Sequence, residues 1–183
     1  MGKRITKVTT KKGDDGSTVM GDGTRVNKSD PLIKAIGELD ELNSWIGLLA
    51  SLKELKQHKE YLQDIQNCLF NIGGILTTKS NRPLDKKFIN SLEEETNLLN
   101  SELPDLDNFI LPGGHEGSSL AHIARTVCRR TERSLIEAIH YEEAEDTCLI
   151  YINRLSDFLF VLARKINLDS GIQELLWKQQ RLD

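Results

Sequence analysis

The chain holds no apolar run near the roughly twenty residues that crossing a bilayer takes, so no membrane partner is expected. Its opening residues, MGKRITKVTTKK, are basic but have neither an apolar core nor a cleavage site. No signal peptide is therefore expected, and a Ser- and Arg-rich organellar presequence is missing too. Excess charge of one sign is also lacking. The net charge is −4 with both signs mixed, which argues against nucleic acid as the main partner. Cysteine is sparse: Cys68, Cys128 and Cys148 sit inside apolar helical patterns. Their odd number, without metal-ligand spacing, reads as buried thiols in a reducing, cytoplasmic compartment. The four histidines, His58, His115, His122 and His140, show no ligand-pair spacing and read as structural. No Ser-His-Asp order or activated cysteine stands out, so covalent catalysis by a side chain is not expected. A Walker A loop is missing as well.

What is present is helical. At 183 residues the chain fits a single domain able to bury a full core. It shows no strand-period run of any length and no repeat at a solenoid period. Asp30 can cap a helix and Pro31 suits its first position. Leu32, Ile36, Leu39, Leu42, Ile46 and Leu49 then recur at helical spacing. A second helix is expected from about Glu54 to Leu76, and a third from about Leu84 to Leu103, stopped by Pro104. The fourth follows the rigid turn Leu111-Pro112-Gly113-Gly114 and reaches about Tyr141; the fifth runs from about Glu143 to Ile166. Five amphipathic helices with short connections predict an all-α, up-and-down five-helix bundle over residues 31–167. A glycine-containing loop segment with a possible short hairpin occupies 1–30, and a tail over 168–183 is expected to form a short helix through Leu175, Leu176 and Trp177.

Four polar clusters stand out. On the fourth helix Arg125, Arg129, Glu132 and Arg133 fall at i, i+4, i+7 and i+8, along one face. An apolar stripe of Leu120, Ile123, Ala124, Val127, Leu135 and Ile139 runs beside them. Guanidinium is a planar, permanently charged fork, so a row of them with one carboxylate suits a polyanion that brings a metal ion. The plainer reading is a solvated face on which Arg129 pairs with Glu132 along the helix. Between Thr9 and Lys28, glycines, lysines and hydroxyl residues either cradle an anion through backbone N–H groups or form a frayed basic terminus. On the fifth helix Asn153, Asp157, Phe160 and Arg164 fall on or near one face, which would suit a flat ligand with polar edges. There the plainer reading is an Arg154–Asp157 pair. Asp40, Asn43 and Ser44 share a polar face of the first helix, where a carboxylate can meet an arginine of the ladder within or between chains.

Four stretches in register carry a resemblance: TTKKGDDGST at 9–18, GELDELNSWIG at 37–47, FILPGG at 109–114 with HIARTVCRRTER at 122–133, and YINRLSDFLFVLAR at 151–164. Over nearly its whole length the chain resembles the PduO-type ATP:cob(I)alamin adenosyltransferases. The resemblance implies a trimer with ATP and a corrinoid bound at each subunit interface. It implies ATP contacts from Thr10, Lys11, Lys12, Gly13, Thr18, Val19 and Lys28 in the loop. Arg129, Arg130, Thr131, Glu132, Arg133 and Asn153 would line the nucleotide, with Glu132 helping to hold Mg²⁺. Arg125 would pair with Asp40 across the interface, and with Arg129 these would form the catalytic set. Phe109 and Phe160 would wall the corrinoid. Partners implied are a flavin-dependent reductase and adenosylcobalamin-dependent enzymes. Two positions depart from the family pattern: Ala121, where leucine commonly precedes the histidine, and Thr131, where alanine is usual. A corrinoid-binding chaperone without turnover, and a nucleotide-sensing helical module, are the alternative functions.

Overall fold

In the computed structural model, which describes residue 9 and residues 11–139 and 142–178, Asp30 starts the helical part of the chain. Its carboxylate accepts from the Leu32 N–H at 2.9 Å, and Pro31 opens α1, Pro31–Ser51. A 3-10 turn over Lys53–His58 follows, with Leu55 buried in a non-helical conformation. Only then does α2 run, Lys59–Thr78, so the expected single helix from Glu54 is split in two. The third helix, α3, spans Lys86–Ser101 and is capped by Asp85, whose side chain accepts from the Lys87 N–H at 3.0 Å. It is shorter at both ends than its apolar pattern suggested. Leu84 is buried ahead of the helix, and its N–H bonds the buried Thr147 hydroxyl at 2.9 Å. The fourth helix, α4, covers Glu116–Ala138 and ends where Ile139 turns extended; Tyr141 lies outside the described residues. The fifth, α5, covers Glu143–Asp169, begins with a Glu142/Glu145 capping box and passes the expected end at Ile166.

α1 packs between α2 and α4, and α5 packs between α4 and α3. Leu42, Ile46, Leu62, Ile72, Leu135, Ile152, Phe158 and Leu159 are fully buried where these faces meet. Truncating one such leucine to alanine costs roughly 2–5 kcal/mol. On α4 the buried face differs from the expected stripe, because Ile123 is 41% exposed. Ala121, Cys128 and Thr131 join the expected Ala124 in filling it, all at 0%, and such small side chains let neighbouring helices approach closely. That packing turns Arg125 and Arg129 toward the rim. No helix among the described residues is long and apolar enough to cross a membrane.

Two non-helical pieces border the bundle. The hairpin hinted at in the N-terminal segment is real: β1, Ser17–Val19, pairs antiparallel with β2, Arg25–Asn27. Its turn is closed by Asp22, which accepts from the Thr24 N–H and hydroxyl, and Gly23 takes the left-handed position at φ +87°. The tail, expected to be helical, is extended. The chain reverses at Gly171, φ +65°, and the backbone then pairs across to the loop before α4. Leu111 N–H donates to the Leu175 carbonyl, and Trp177 N–H to the Phe109 carbonyl, both at 2.7 Å. Those cross-strand partners satisfy the groups that a helix would have bonded internally.

Candidate active site

The described chain presents two separate clefts, each lined by four of the expected site residues. The first, about 410 Å³, lies between the hairpin and the α1–α2 face and is lined by Thr18, Val19, Lys28, Gly37, Asp40 and Phe70 among others. Lys28 Nζ donates to the Gly13 carbonyl at 2.8 Å, and Lys28 N–H to the Gly16 carbonyl at 2.9 Å, so the lysine closes the glycine loop on itself. A β-carbon on Gly13 would press on the Ser17 carbonyl, which explains glycine there. Arg25 bonds the Lys12 carbonyl and pairs with Asp15 at 2.7 Å. Bonds from Ser17 and then Arg25 hold the Asp15 carboxyl down at about 2. Lys11 is exposed with φ +59°, and Thr10 lies outside the described residues.

The second cleft, about 690 Å³, is floored by α4 and α5 and roofed by residues 106–112. Arg125 and Arg129 form one edge; Phe109, Phe160 and Val161 form an apolar wall; Asp157 opens into it. The Arg125 guanidinium stacks over Phe160 at 6.0 Å, and its buried Nε has no hydrogen-bond partner. Burial, and then the neighbouring Arg129, pull its pKa below the usual value. Among the described residues neither arginine has an ion-pair partner, so the Arg129–Glu132 pair of the plainer reading does not form. Glu132 instead accepts from Asn153 Nδ2 at 2.8 Å, which joins two expected nucleotide residues from different helices.

Several expected residues stand elsewhere. Arg130 turns to α1, where it bonds Glu41 and approaches Glu38 at 4.0 Å. Thr131, expected to line the nucleotide, is fully buried and bonds the Val127 and Glu38 carbonyls, so it packs α4 on α1. Arg133 donates to the Arg129 carbonyl at 2.9 Å. Arg154 pairs with Glu93 and bonds Asn153 Oδ1, each at 2.8 Å, which leaves Asp157 free of the pair proposed for it. Arg164 has left the Asn153 face altogether: it is 4% exposed and pairs with Glu174 of the tail. Asp40 lines the first cleft and Arg125 the second, so one chain does not bring them together.

Two features escaped sequence reading. His122 lines the second cleft edge-on to Phe160, and both its ring nitrogens are buried without a partner. Burial, and then Arg125, push its pKa down to about 4, so the imidazole is neutral. Spacing gave no signal for it, because a lone histidine on an apolar face matches any core position. Trp177 is the second, and it meets Phe109 edge-on at 6.3 Å through the unexpected tail strand.

A sequence model of the family described as "Cobalamin adenosyltransferase" matches residues 8–166. The chain is 44% identical over 182 residues to a cobalamin adenosyltransferase of Cupriavidus metallidurans, covering 99% of both chains. It is 38% identical to a corrinoid adenosyltransferase of Bacillus subtilis, covering 96% of this chain and 94% of that one. Among solved structures it resembles an arginine-to-lysine variant of a PduO-type ATP:corrinoid adenosyltransferase from Lactobacillus reuteri complexed with ATP, at TM-score 0.87 and 36% identity over 93% of this chain and 100% of that one. A phenylalanine-to-alanine variant from the same source, complexed with cobalamin and ATP, superposes at TM-score 0.84 with 34% identity over 94% of this chain and 100% of that one. The chain belongs to the cobalamin adenosyltransferase family.

Proposed function

We propose that the protein transfers the 5′-deoxyadenosyl group of ATP to cob(I)alamin, giving adenosylcobalamin and inorganic triphosphate. The observation that carries this reading is the second cleft, about 690 Å³, where two guanidiniums without ion-pair partners among the described residues border an apolar, aromatic wall. Cob(I)alamin is itself a strong nucleophile, so attack of cobalt on C5′ of the ribose needs no general base. The C5′–O bond breaks as the cobalt–carbon bond forms, and the electron pair leaves with triphosphate. Arg129, Arg133 and Lys28 stabilise the charge growing on that leaving group, and the loop at 11–19 fixes the in-line approach. Asn153, already bonded to Glu132, orients the nucleotide.

The described residues hold no cluster of three metal-ligating side chains, and Glu132 offers a single carboxylate. That suits Mg²⁺, which is commonly held by one or two carboxylates together with substrate phosphates. When bound it neutralises triphosphate charge.

The glycine loop and the arginine ladder occupy different clefts, so a complete site joins the loop and Asp40 of one copy to Arg125 and Arg129 of the next. Arg125, orphaned at Nε, gains Asp40 as its partner in such a trimer. Phe109 and Phe160 hold water and nitrogen ligands away from the lower face of the corrin, which eases reduction of cob(II)alamin by a flavin-dependent reductase. Three free, buried cysteines suit a reducing cytoplasm. The test is anaerobic mixing of the purified protein with ATP and chemically reduced cob(I)alamin. The expected result is the spectrum of light-sensitive adenosylcobalamin, dependent on ATP. Tight binding of adenosylcobalamin without turnover would make the protein a carrier and refute the reading.

A further inference from the structure

Arg164 is buried at 4% exposure in a stretch of α5 where Val161, Leu162, Ala163 and Ile166 are all buried. An apolar side chain there would avoid the cost of desolvating a guanidinium. What the arginine does instead is hold two distant segments. Its Nε donates to the Glu174 carboxylate, at 3.2 Å to Oε1 and 3.1 Å to Oε2, and its Nη2 donates to the Pro104 carbonyl at 2.8 Å. Pro104 begins the loop that carries Phe109, and Glu174 begins the tail strand that pairs with that loop.

One turn further along α5, Asn167 fixes the other ends. Its Nδ2 donates to the Gly113 carbonyl at 3.0 Å, its Oδ1 accepts from the His115 N–H at 2.9 Å, and its carbonyl accepts from Ile172 N–H at 2.9 Å. Phe109, in the middle of this loop, is 76% exposed and has no core packing of its own. Its place is set by the Trp177 N–H on its carbonyl, by its edge contact with the Trp177 ring, and by the Asn108 side chain on its N–H. Asn108 in turn donates to the Trp177 carbonyl at 2.9 Å. Phe109 thus depends on the tail, and among the described residues the one ion pair securing the tail is Arg164–Glu174.

We propose that Arg164 is a positioning residue for the corrinoid step: through Glu174 it pins the C-terminal strand, and through that strand it fixes Phe109 at the mouth of the second cleft. This rests on the reading of that cleft as the corrinoid site. Arg164 touches neither substrate. Breaking its pair acts on corrinoid handling and leaves nucleotide handling intact.

The test uses the full-length Glu174→Gln protein, with Glu174→Ala as a second variant; both changes lie outside the helical core. Hydrogen exchange at the Leu111 and Trp177 amides reads the clamp without any ligand. Loss of one charge-assisted bond should speed both amides roughly tenfold, with core amides unchanged. In the enzyme assay the KM for corrinoid should rise several-fold while the KM for ATP holds. Turnover coupled to a flavin reductase should fall further than turnover with pre-reduced cob(I)alamin. Wild-type exchange at both amides would overturn the clamp whatever the activity. Faster exchange with an unaltered corrinoid KM would overturn the positioning role. A wild-type protein that binds no corrinoid would instead refute the reading of the cleft, and the exchange result would still decide the clamp.

Discussion

His122 gives a pH dependence that can be worked from its surroundings. The ring is 3% exposed, has no hydrogen-bond partner at either nitrogen, and faces the Arg125 charge. Its pKa is pushed down to about 4 from an ordinary 6.5. Between those values the unfolded chain takes up a proton that the folded chain refuses, so stability rises with pH there. The contribution is complete above the unfolded value, and it is lost as pH falls from about 6.5 toward 4. A gap of that size corresponds to about 3 kcal/mol between the two limits. Replacing His122 by leucine removes the titration and also removes two orphaned nitrogens, so at neutral pH the change should cost little or even stabilise. The assay is urea unfolding of both proteins at one fixed concentration, at about pH 7 and about pH 4.5. The carboxylates titrate alike in both proteins and cancel in the difference. The leucine variant should gain roughly 2–3 kcal/mol on wild type between the two conditions. A difference that does not move with pH would refute the buried, neutral imidazole.

Three further outcomes follow from other parts of the fold. A methyl group on Gly114, at φ +100°, would land on Asn167 Oδ1, so Gly114→Ala should destabilise by roughly 1–3 kcal/mol; an unchanged melting temperature would contradict the anchoring of the turn. Arg125→Ala should lower activity and loosen the proposed trimer, since it removes the partner proposed for Asp40. A fully active, intact trimer, seen by sedimentation alongside the assay, would argue against that pair. Phe109→Ala should retain activity with pre-reduced cobalamin and lose it when a flavin reductase must supply cob(I)alamin; equal losses in both assays would remove the aromatic from that role.

The bundle was readable because helical periodicity reports directly on burial. Leu39, Leu42, Ile46 and Leu49 on α1, and Leu155, Leu159 and Leu162 on α5, are buried as their spacing requires. Caps at Asp30 and Asp85 set helix starts, and the first was evident in the sequence because proline follows it. Tertiary pairing was not readable. The tail contains Leu175, Leu176 and Trp177, whose apolar run fits a helix as well as a strand, and only the open edge at 109–111 decides between them. The same limit explains Arg154 and Arg164. Local spacing offered Asp157 to Arg154 and no partner to Arg164, while Glu93 on α3 and Glu174 in the tail became their partners through the fold. Thr131 shows the reverse case: its neighbours on either side face outward, yet its own position on the helical wheel turns it into the α1 contact.

Adenosyl transfer at a site built from two copies of the chain is tested most directly by complementation. Lys28→Ala disables the loop half, Arg129→Ala disables the ladder half, and each variant alone should be inactive. In randomly mixed trimers about a quarter of the interfaces unite an intact loop with an intact ladder. Co-assembled protein should therefore regain about that fraction of wild-type turnover, with adenosylcobalamin and triphosphate formed in equal amounts. No recovery in verified mixed trimers would contradict a shared site.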